Sequence, residues 1–400
     1  MQKKTILIIC LIAYLIIIFV TEIFYREPLY EISIKYIKTI KQEGFQFYFN
    51  YFWSMIFLYG MILVGTLITL LFCPINIFFC NISILITLIF IMCLLKSLYS
   101  SPRPFWDIYS QEGEVENLPK PTECDGEFGN PSGHSLLSTY TLILWFLFTN
   151  SKFYNEIEGV KKIIIKYITL VLSIIFIICV TYSRINRQIH SFNQILFGVL
   201  LGIAVFFTFC YILEFNKISP KDFIINLDNY KFILIPSILV LFILSVILGL
   251  TKHNSKEEEY AIILEKYCGF DNEQLFGKNT AFFSALIFVI IGHYIGILFL
   301  KYKISKNYQN QDDYFYNWNQ GSKLNTLKIA LFSSILPLIP PIIIIFIPYK
   351  LYILKLVASI VLYFLFGFCN LGLCLYYGCI LFNGNKIDSN TVSEEVINEV

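Results

Sequence analysis

Three short segments of this chain concentrate polar residue types that are scarce elsewhere in it. They run from Lys96 to Pro104, from Pro131 to His134 and from Ser183 to Gln194. Of the 30 lysines and arginines in the 400 residues only four are arginine, and there are four histidines. Three of the arginines and two of the histidines fall in these segments. We therefore treat the three segments as candidates for chemistry.

The cations of these segments suit a phosphate ligand. The guanidinium groups of Arg103 and Arg184 offer forked donors that match phosphate oxygens, and Lys96 adds a point charge. Ser132 and Gly133 lie where an apolar helix is predicted to begin, so backbone N–H groups there can point at an anion. Gly133 carries no side chain that would hold an anion away from the backbone.

The two histidines of the segments, His134 and His190, can divide the work of phosphoryl transfer. A neutral imidazole can attack phosphorus and form a phosphohistidine, while a protonated imidazole donates a proton to the leaving oxygen. The cations neutralise the charge that develops during the reaction. Neither a metal ion nor a cofactor is therefore predicted.

Membrane-spanning helices are the elements that must carry these segments. Hydrophobic residues make up 57% of the chain and charged residues 14%, against about 25% charged in a soluble domain. The net charge of +2 does not indicate a nucleic-acid partner. Ten apolar runs approach the roughly 20 residues that cross a bilayer, which predicts an all-α polytopic membrane protein with nine or ten spans. The runs are roughly 5–23, 52–72, 75–98, 134–150, 163–182, 190–214, 231–250, 279–300, 327–347 and 351–382.

The order of the spans predicts that the three segments meet at one membrane face. The first segment ends the third span, the second opens the fourth, and the third joins the fifth to the sixth. Lysines are modestly enriched in the loops on the side of the termini, which places the termini in the cytoplasm. The candidate site then lies on the lumenal or extracytoplasmic face, in the endoplasmic reticulum or another endomembrane.

The three motifs together resemble the signature of the type-2 phosphatidic acid phosphatase superfamily. They read K-x6-R-P, P-S-G-H and S-R-x5-H, and the resemblance covers about residues 50–215. That superfamily includes lipid phosphate phosphatases, sphingosine phosphate phosphatases and glucose-6-phosphatase. The resemblance implies the following roles. Phosphate binding falls to Lys96, Arg103 and Arg184, with help from Ser132 and Gly133, general acid catalysis to His134 and nucleophilic attack to His190.

Gln194 departs from the usual family pattern, which has aspartate four residues after the nucleophile. The spacing still places Gln194 on the same helical face as His190. Its amide oxygen can accept a hydrogen bond from Nδ1–H and fix the tautomer of the ring. Members that resemble glucose-6-phosphatase also carry glutamine here, so the residue is not taken as inactivating.

The resemblance implies a six-helix phosphatase-like core at 1–215 and a membrane extension of about four helices at 216–400. The expected activity is metal-independent hydrolysis of a lipid phosphate, of the phosphatidate or sphingoid-base class, by a phosphoric monoester hydrolase. The expected partners are membrane lipid and the phosphorylated lipid substrate. Two alternatives stay open, a sugar phosphatase like glucose-6-phosphatase and a non-catalytic transporter or lipid-binding protein. The oligomeric state is not predicted.

Several residues around the motifs carry separate hypotheses. Cys124 and Cys268 both fall in polar loops on the predicted outer face, where a disulfide between them is possible. The acidic run from Glu112 to Glu127 is interpreted as a solvated lid. Arg187 is expected to face lipid headgroups, with a contribution to the anion-binding charge as the alternative. Trp106 is expected to be an anchor at the membrane interface, with a place at the substrate entrance as the alternative. Residues 28–48 have the pattern of an interfacial amphipathic helix, with an ordinary connecting loop as the alternative.

Overall fold

A computed structural model gives the fold of this chain. It describes residues 2–40, 45–73, 75–112, 124–215, 231–270, 275–307, 323–336 and 339–382. The first part of the acidic run, 113–123, and the C-terminal tail, 383–400, lie outside the described residues. The described part of the chain is helical and contains no strand, which confirms the prediction of an all-α protein.

The helices are numbered here in chain order, and two π-helical segments continue α2 and α17. The α-helices are α1 Gln2–Ile37, α2 Phe45–Tyr51, α3 Leu58–Phe72, α4 Ile75–Tyr99, α5 Pro104–Glu112, α6 Gly133–Ser138, α7 Tyr140–Thr149, α8 Lys152–Asn155, α9 Gly159–Asn186, α10 Phe192–Phe215, α11 Lys231–Thr251, α12 Glu257–Cys268, α13 Phe276–Ser284, α14 Phe288–Asn307, α15 Lys323–Ile335, α16 Ile339–Ile345 and α17 Tyr352–Phe368. The π-helical segments are Phe52–Phe57 and Cys369–Cys374.

Eight of the helical stretches in the described residues are long and apolar enough to cross a bilayer. The sequence predicts nine or ten, and the difference lies in two interrupted runs. The run at 134–150 is divided into α6 and α7 at Thr139, and the run at 327–347 into α15 and α16. The eight stretches support a multi-pass membrane protein. Many of their large apolar side chains are exposed, as lipid-facing side chains must be.

The first helix is longer than the sequence predicts. The patterns separate a span at 5–23 from an interfacial helix at 28–48, but α1 continues without a break through Pro28 to Ile37. A proline inside a helix removes one backbone hydrogen bond. Here the following turns are held by packing, since Ile37 belongs to a buried cluster with Phe105 and Tyr260. The prediction of a separate interfacial helix is therefore wrong for residues 28–37.

The chain forms two compact units, each assembled from separate stretches. The first comprises 1–65, 87–216 and 244–284, and the second comprises 66–86, 217–243 and 285–400. All three motif segments lie in the first unit, together with α12 from the predicted C-terminal extension. The boundary at residue 215 stays a prediction.

A short aromatic cap covers one end of the first unit. It consists of α5 and α12, which pack on each other around Trp106. The indole of Trp106 is fully buried and lies 5.4 Å from the ring centroid of Tyr260. The expectation that Trp106 faces the membrane interface is therefore wrong, because this cap removes it from both lipid and water.

A disulfide attaches the segment after the acidic run to the cap. Cys124 and Cys268 are bonded, which confirms the hypothesis drawn from their positions. The same segment is held a second time, since Phe276 N–H donates to the carbonyl of Gly126 over 2.7 Å. These two contacts fix residues 124–126 against α12 and the start of α13.

We expect Cys124→Ser and Cys268→Ser to destabilise the protein equally. The bond closes a loop of 144 residues, and losing such a bond costs about 2–4 kcal/mol of unfolding free energy. The double variant should lose no more than either single variant. Thermal unfolding in detergent measures this, with the exposed free cysteine replaced in Cys10→Ser as the control. Additive losses would show that the two sulfurs are not bonded.

Candidate active site

The site is built from the ends of three long helices, α4, α9 and α10, and from the start of the short helix α5. Lys96 lies in the last turn of α4 and Arg184 in the last turn of α9. Arg103 directly precedes α5, and His190 lies two residues before α10. The three motif segments therefore meet at one end of the first unit, as the order of the spans predicts.

Arg103 is the centre of the contacts between the segments. Its side chain is fully buried, and its Nε donates to the carbonyl of Glu127 over 2.6 Å. Its Nη1 lies 3.2 Å from Nε2 of His190, and its Nη2 lies 2.6 Å from Oδ2 of Asp125. One guanidinium group thus joins the first motif to the third and to the segment before the second.

These contacts determine the tautomer of His190. A guanidinium group can only donate, so Nε2 of His190 must accept the hydrogen bond from Arg103. Nδ1 then carries the proton and donates to Oε1 of Gln194 over 3.2 Å. The lone pair of Nε2 therefore points toward the cations, as a nucleophile aimed at a bound phosphate requires.

The charges around His190 keep its ring neutral. Burial lowers the pKa of His190 well below its ordinary range, and the positive charges of Arg103, Arg184 and Lys96 lower it further. A neutral imidazole at physiological pH has the nucleophilic lone pair that a protonated ring lacks.

Gln194 connects the three motifs. Its Nε2 donates to the carbonyl of Pro102 over 2.8 Å, and its backbone carbonyl accepts from Ser132 N–H over 3.0 Å. The segment before the second motif passes directly over this amide, since a Cβ at Gly129 would lie 2.5 Å from Nε2 of Gln194. Gln194 therefore both orients His190 and holds the first and second motifs against the third.

Two acidic residues turn inward and pair with the cations. Asp125 pairs with Arg103, and Glu127 forms a short ion pair with Lys96. Burial opposes the ionisation of Asp125, but the surrounding positive charges, with that of Arg103 the largest, and a hydrogen bond from the backbone N–H of Glu127 together outweigh it and lower the pKa of that carboxyl group. The interpretation of this end of the acidic run as a solvated lid is wrong. Burying several cations together requires nearby negative charge, and the proximity of both acids to the P-S-G-H motif was the signal available in the sequence.

The second motif places His134 at the edge of the site. Nε2 of His134 is buried and has no hydrogen-bond partner among the described residues. Its ring meets the ring of Tyr59 edge to face, with centroids 5.8 Å apart. The hydroxyl of Ser132 caps α6 by accepting from Ser135 N–H, and a Cβ at Gly133 would meet Sδ of Met92. The phosphate-binding roles of Ser132 and Gly133 stay predictions.

The remaining two arginines of the segments differ in their surroundings. Arg184 is fully buried, and its charge contributes to the low pKa of His190. Arg187 is also buried, and it donates to Oγ of Ser54 over 2.7 Å with its guanidinium over the ring of Tyr51. The expectation that Arg187 faces lipid headgroups is therefore wrong, since it fastens the end of α9 to α2.

Comparison with known protein families agrees with this geometry. Residues 77–218 match the sequence model of the PAP2 superfamily. The segment that carries the three motifs is therefore similar to members of the PAP2 superfamily. The match covers roughly a third of the chain and includes all three motifs. Neither the comparison with curated proteins nor the comparison with solved structures finds a match.

The PAP2 match supports a phosphatase, at the level of a phosphoric monoester hydrolase. It begins at residue 77 and ends at residue 218, so α1 to α3 and all helices from α11 onward lie outside it. The Cys268 partner of the disulfide and the cap helix α12 are therefore contributions of this chain beyond the matched segment.

We expect Gln194→Glu to move the acid limb of the pH–activity profile of the candidate site to a higher pH. A carboxylate in place of the amide oxygen 3.2 Å from Nδ1 would favour the protonated ring and raise the pKa of His190. Protonation removes the nucleophilic lone pair, so activity is lost as the pH falls through that pKa. The acid limb of kcat/KM should lie below pH 6.5 in the wild type and at a higher pH in the variant.

Gln194→Ala is the matched control for this experiment. It removes the hydrogen bond without adding a charge, so it should lower kcat/KM by about tenfold or more and leave the acid limb low. An acid limb at the same pH in the wild type and in Gln194→Glu would contradict the assignment of this limb to His190.

Proposed function

We propose that the protein is a metal-independent phosphatase that hydrolyses a phosphomonoester through a phosphohistidine on His190. The observation that carries the proposal is the chain of contacts from Arg103 through the ring of His190 to Gln194. It holds a neutral imidazole with its lone pair toward buried cations. Binding and charge neutralisation fall to Lys96, Arg103 and Arg184, so the reaction needs no metal ion.

In the first step Nε2 of His190 attacks phosphorus, and the bond from phosphorus to the leaving oxygen breaks. His134 donates a proton to that oxygen, so the alcohol leaves neutral. A phosphate dianion beside His134 favours the protonated ring that this step needs. In the second step water attacks the phosphohistidine, His134 takes a proton from the water, and inorganic phosphate and neutral His190 are regenerated.

The surroundings of His134 support a lipid leaving group. A general acid must lie beside the leaving oxygen, so the leaving group lies on the Tyr59 side of the site. Tyr59 is 51% exposed and shares an exposed helical stripe with Ile56 and Leu63. These side chains belong to a candidate span, where exposed apolar groups face hydrocarbon. An acyl or sphingoid chain could lie along this stripe while its phosphate occupies the cations.

A second candidate substrate is a soluble sugar phosphate. Its support is Asp125, whose carboxylate is 25% exposed beside Arg103 and remains ionised. A carboxylate at that position can accept hydrogen bonds from the hydroxyl groups of a sugar. Gln194 also leaves this alternative open, since glutamine occurs here in members that resemble glucose-6-phosphatase.

The proposed location follows from the distribution of lysines among the loops and from the disulfide bond at the cap. Termini in the cytoplasm put the site on the opposite, lumenal side of an endomembrane such as the endoplasmic reticulum. The Cys124–Cys268 disulfide supports that side, because disulfides persist in oxidising compartments.

Phosphate release by the purified protein with a chelator present tests the proposal. The panel comprises phosphatidate, a sphingoid-base phosphate, a polyprenyl diphosphate and glucose 6-phosphate. We expect hydrolysis of at least one phosphomonoester, inhibition by vanadate, and a loss of about a thousandfold or more in His190→Ala. His253→Ala is the control, because His253 is exposed and pairs with Glu257. Full activity in His190→Ala would refute the mechanism.

Two variants separate the lipid substrate from the sugar substrate. If the substrate is a lipid in vesicles, Tyr59→Ala should raise its KM several-fold, because an apolar contact of the chain is lost. Asp125→Asn should then have the smaller effect on KM. With a sugar phosphate as substrate the order reverses, because the carboxylate that accepts from the hydroxyls is removed. KM measured for both variants on both substrates decides between them.

A further inference from the structure

One face of α1 carries polar groups that a lipid-facing helix would not bury. Glu22, Arg26, Tyr30 and Ser33 follow each other at intervals of four, four and three residues, which places them on one side of the helix. Glu22 and Ser33 are fully buried, whereas Phe24 on the opposite side is 76% exposed. The whole of α1 precedes the segment that matches the PAP2 superfamily.

The first contact of this face reaches the second motif. Asn130 directly precedes the P-S-G-H residues, and its Nδ2 donates to Oε1 of Glu22 over 3.0 Å. Both side chains are fully buried. The carboxylate of Glu22 is held in turn by Arg26, with N···O distances of 2.8 and 2.5 Å. A buried charge-assisted bond of this kind fixes the position of the backbone that leads to His134.

The second contact reaches the first motif. Asp107 lies one turn after Arg103, in α5. Its Oδ2 accepts from the hydroxyl of Tyr30 over 2.7 Å, and its Oδ1 accepts from the hydroxyl of Tyr260 over 2.5 Å. Tyr30 therefore anchors the helix whose first residue follows Arg103.

The third contact reaches the third motif. The hydroxyl of Ser33 accepts from the backbone N–H of Phe192 over 2.7 Å. This N–H belongs to the first turn of α10, where no helical carbonyl is available to it. The bond fixes the start of α10 two residues after His190.

We propose that α1 is a positioning helix, which holds the three motif segments in register through Glu22, Tyr30 and Ser33. The inference rests on the proposed function for the roles of the motif residues. It adds that residues outside the PAP2 segment set the geometry of the site without touching the substrate. Because Glu22 acts through Asn130 on the residues leading to His134, its loss should weaken proton donation to the leaving oxygen more than phosphate binding.

The leaving group provides a test that distinguishes positioning from stability. The 4-nitrophenolate of 4-nitrophenyl phosphate leaves without a proton, whereas the alkoxide of an alkyl phosphate needs the general acid. We expect Glu22→Ala to lower kcat/KM on an alkyl phosphate about tenfold more than on 4-nitrophenyl phosphate. The ratio kcat/KM is used because it reports the step in which the leaving group departs, whereas kcat also includes hydrolysis of the phosphohistidine, in which His134 acts on both substrates. Asn130→Ala removes the same hydrogen bond and should reproduce this selective loss. Glu22→Gln keeps an acceptor for Asn130 and should restore part of the activity.

The controls are His134→Ala, which should show the largest selective loss, and Phe24→Ala on the opposite face, which should show none. Equal losses of Glu22→Ala on both substrates would overturn the inference, because a smaller folded fraction reduces all activities alike. If His134→Ala is selective and Glu22→Ala is not, the inference fails while the proposed function stands. If His134→Ala shows no selectivity, its role as general acid fails, and the inference fails with it.

A binding measurement gives a second result that does not depend on turnover. Vanadate should raise the midpoint of thermal unfolding in the wild type and in Phe24→Ala. In Ser33→Ala and Tyr30→Phe the rise should be smaller, because the anion-binding segments are no longer held in register. An unchanged rise in both variants would overturn the proposal that α1 holds the first and third motifs.

Discussion

The burial of positive charge at a membrane edge is the constraint on which the rest of this structure depends. Four cationic side chains are buried near the neighbouring helix ends that form the site. They are Lys96, Arg103, Arg184 and Arg187. Removing such groups from water costs several kcal/mol for each ion unless they are paired. Asp125 and Glu127 supply the compensating charge. The segment that carries these acids must therefore be fixed as firmly as the cations themselves.

The features around the site follow from that requirement. The disulfide and the Gly126 carbonyl contact fix one end of the acidic segment, and the amide of Asn130 fixes the other end to α1. Asp125 and Glu127 carry two negative charges, and the three cations assigned to phosphate binding carry three positive charges. The site therefore keeps a net positive charge that can attract an anion. Exchange of a carboxylate for a phosphate oxygen at Arg103 would change the partner of the guanidinium but not the number of its hydrogen bonds. Under the proposed function, this exchange would allow the buried cationic site to remain folded and still bind phosphate.

Much of the fold and the location of the site could be predicted from the sequence. Long apolar runs have no other stable solution than spanning helices, and their alternation places the three motifs at one end. A contact between His190 and Gln194 is predicted from their spacing of four residues. The contact is present, but His190 lies two residues before α10, so it forms across the start of the helix and not along one helical face. The break between α6 and α7 could not be predicted from hydropathy alone, because leucines lie on both sides of Thr139, at Leu137 and Leu142.

The remaining features depend on contacts between distant parts of the chain. The inward turn of Asp125 and Glu127, the burial of Trp106 and the contact of Arg187 with Ser54 all involve partners at least 22 residues away. Local patterns assign charged and aromatic residues near span ends to water or headgroups, and only the tertiary fold shows them paired. The polar face of α1 has a helical period, but its partners lie more than 70 residues away along the chain.

The central claim is that neutral His190 is the nucleophile within these cations. The most direct test is to trap the phosphorylated protein during turnover of a substrate that carries a label in its phosphate group. The reaction is quenched rapidly in alkali, where phosphohistidine survives, and the labelled residue is identified by peptide mapping. The account predicts label on His190 that appears before steady-state turnover and is chased by unlabelled substrate. Turnover with no labelled protein, or label on any other residue, would contradict it.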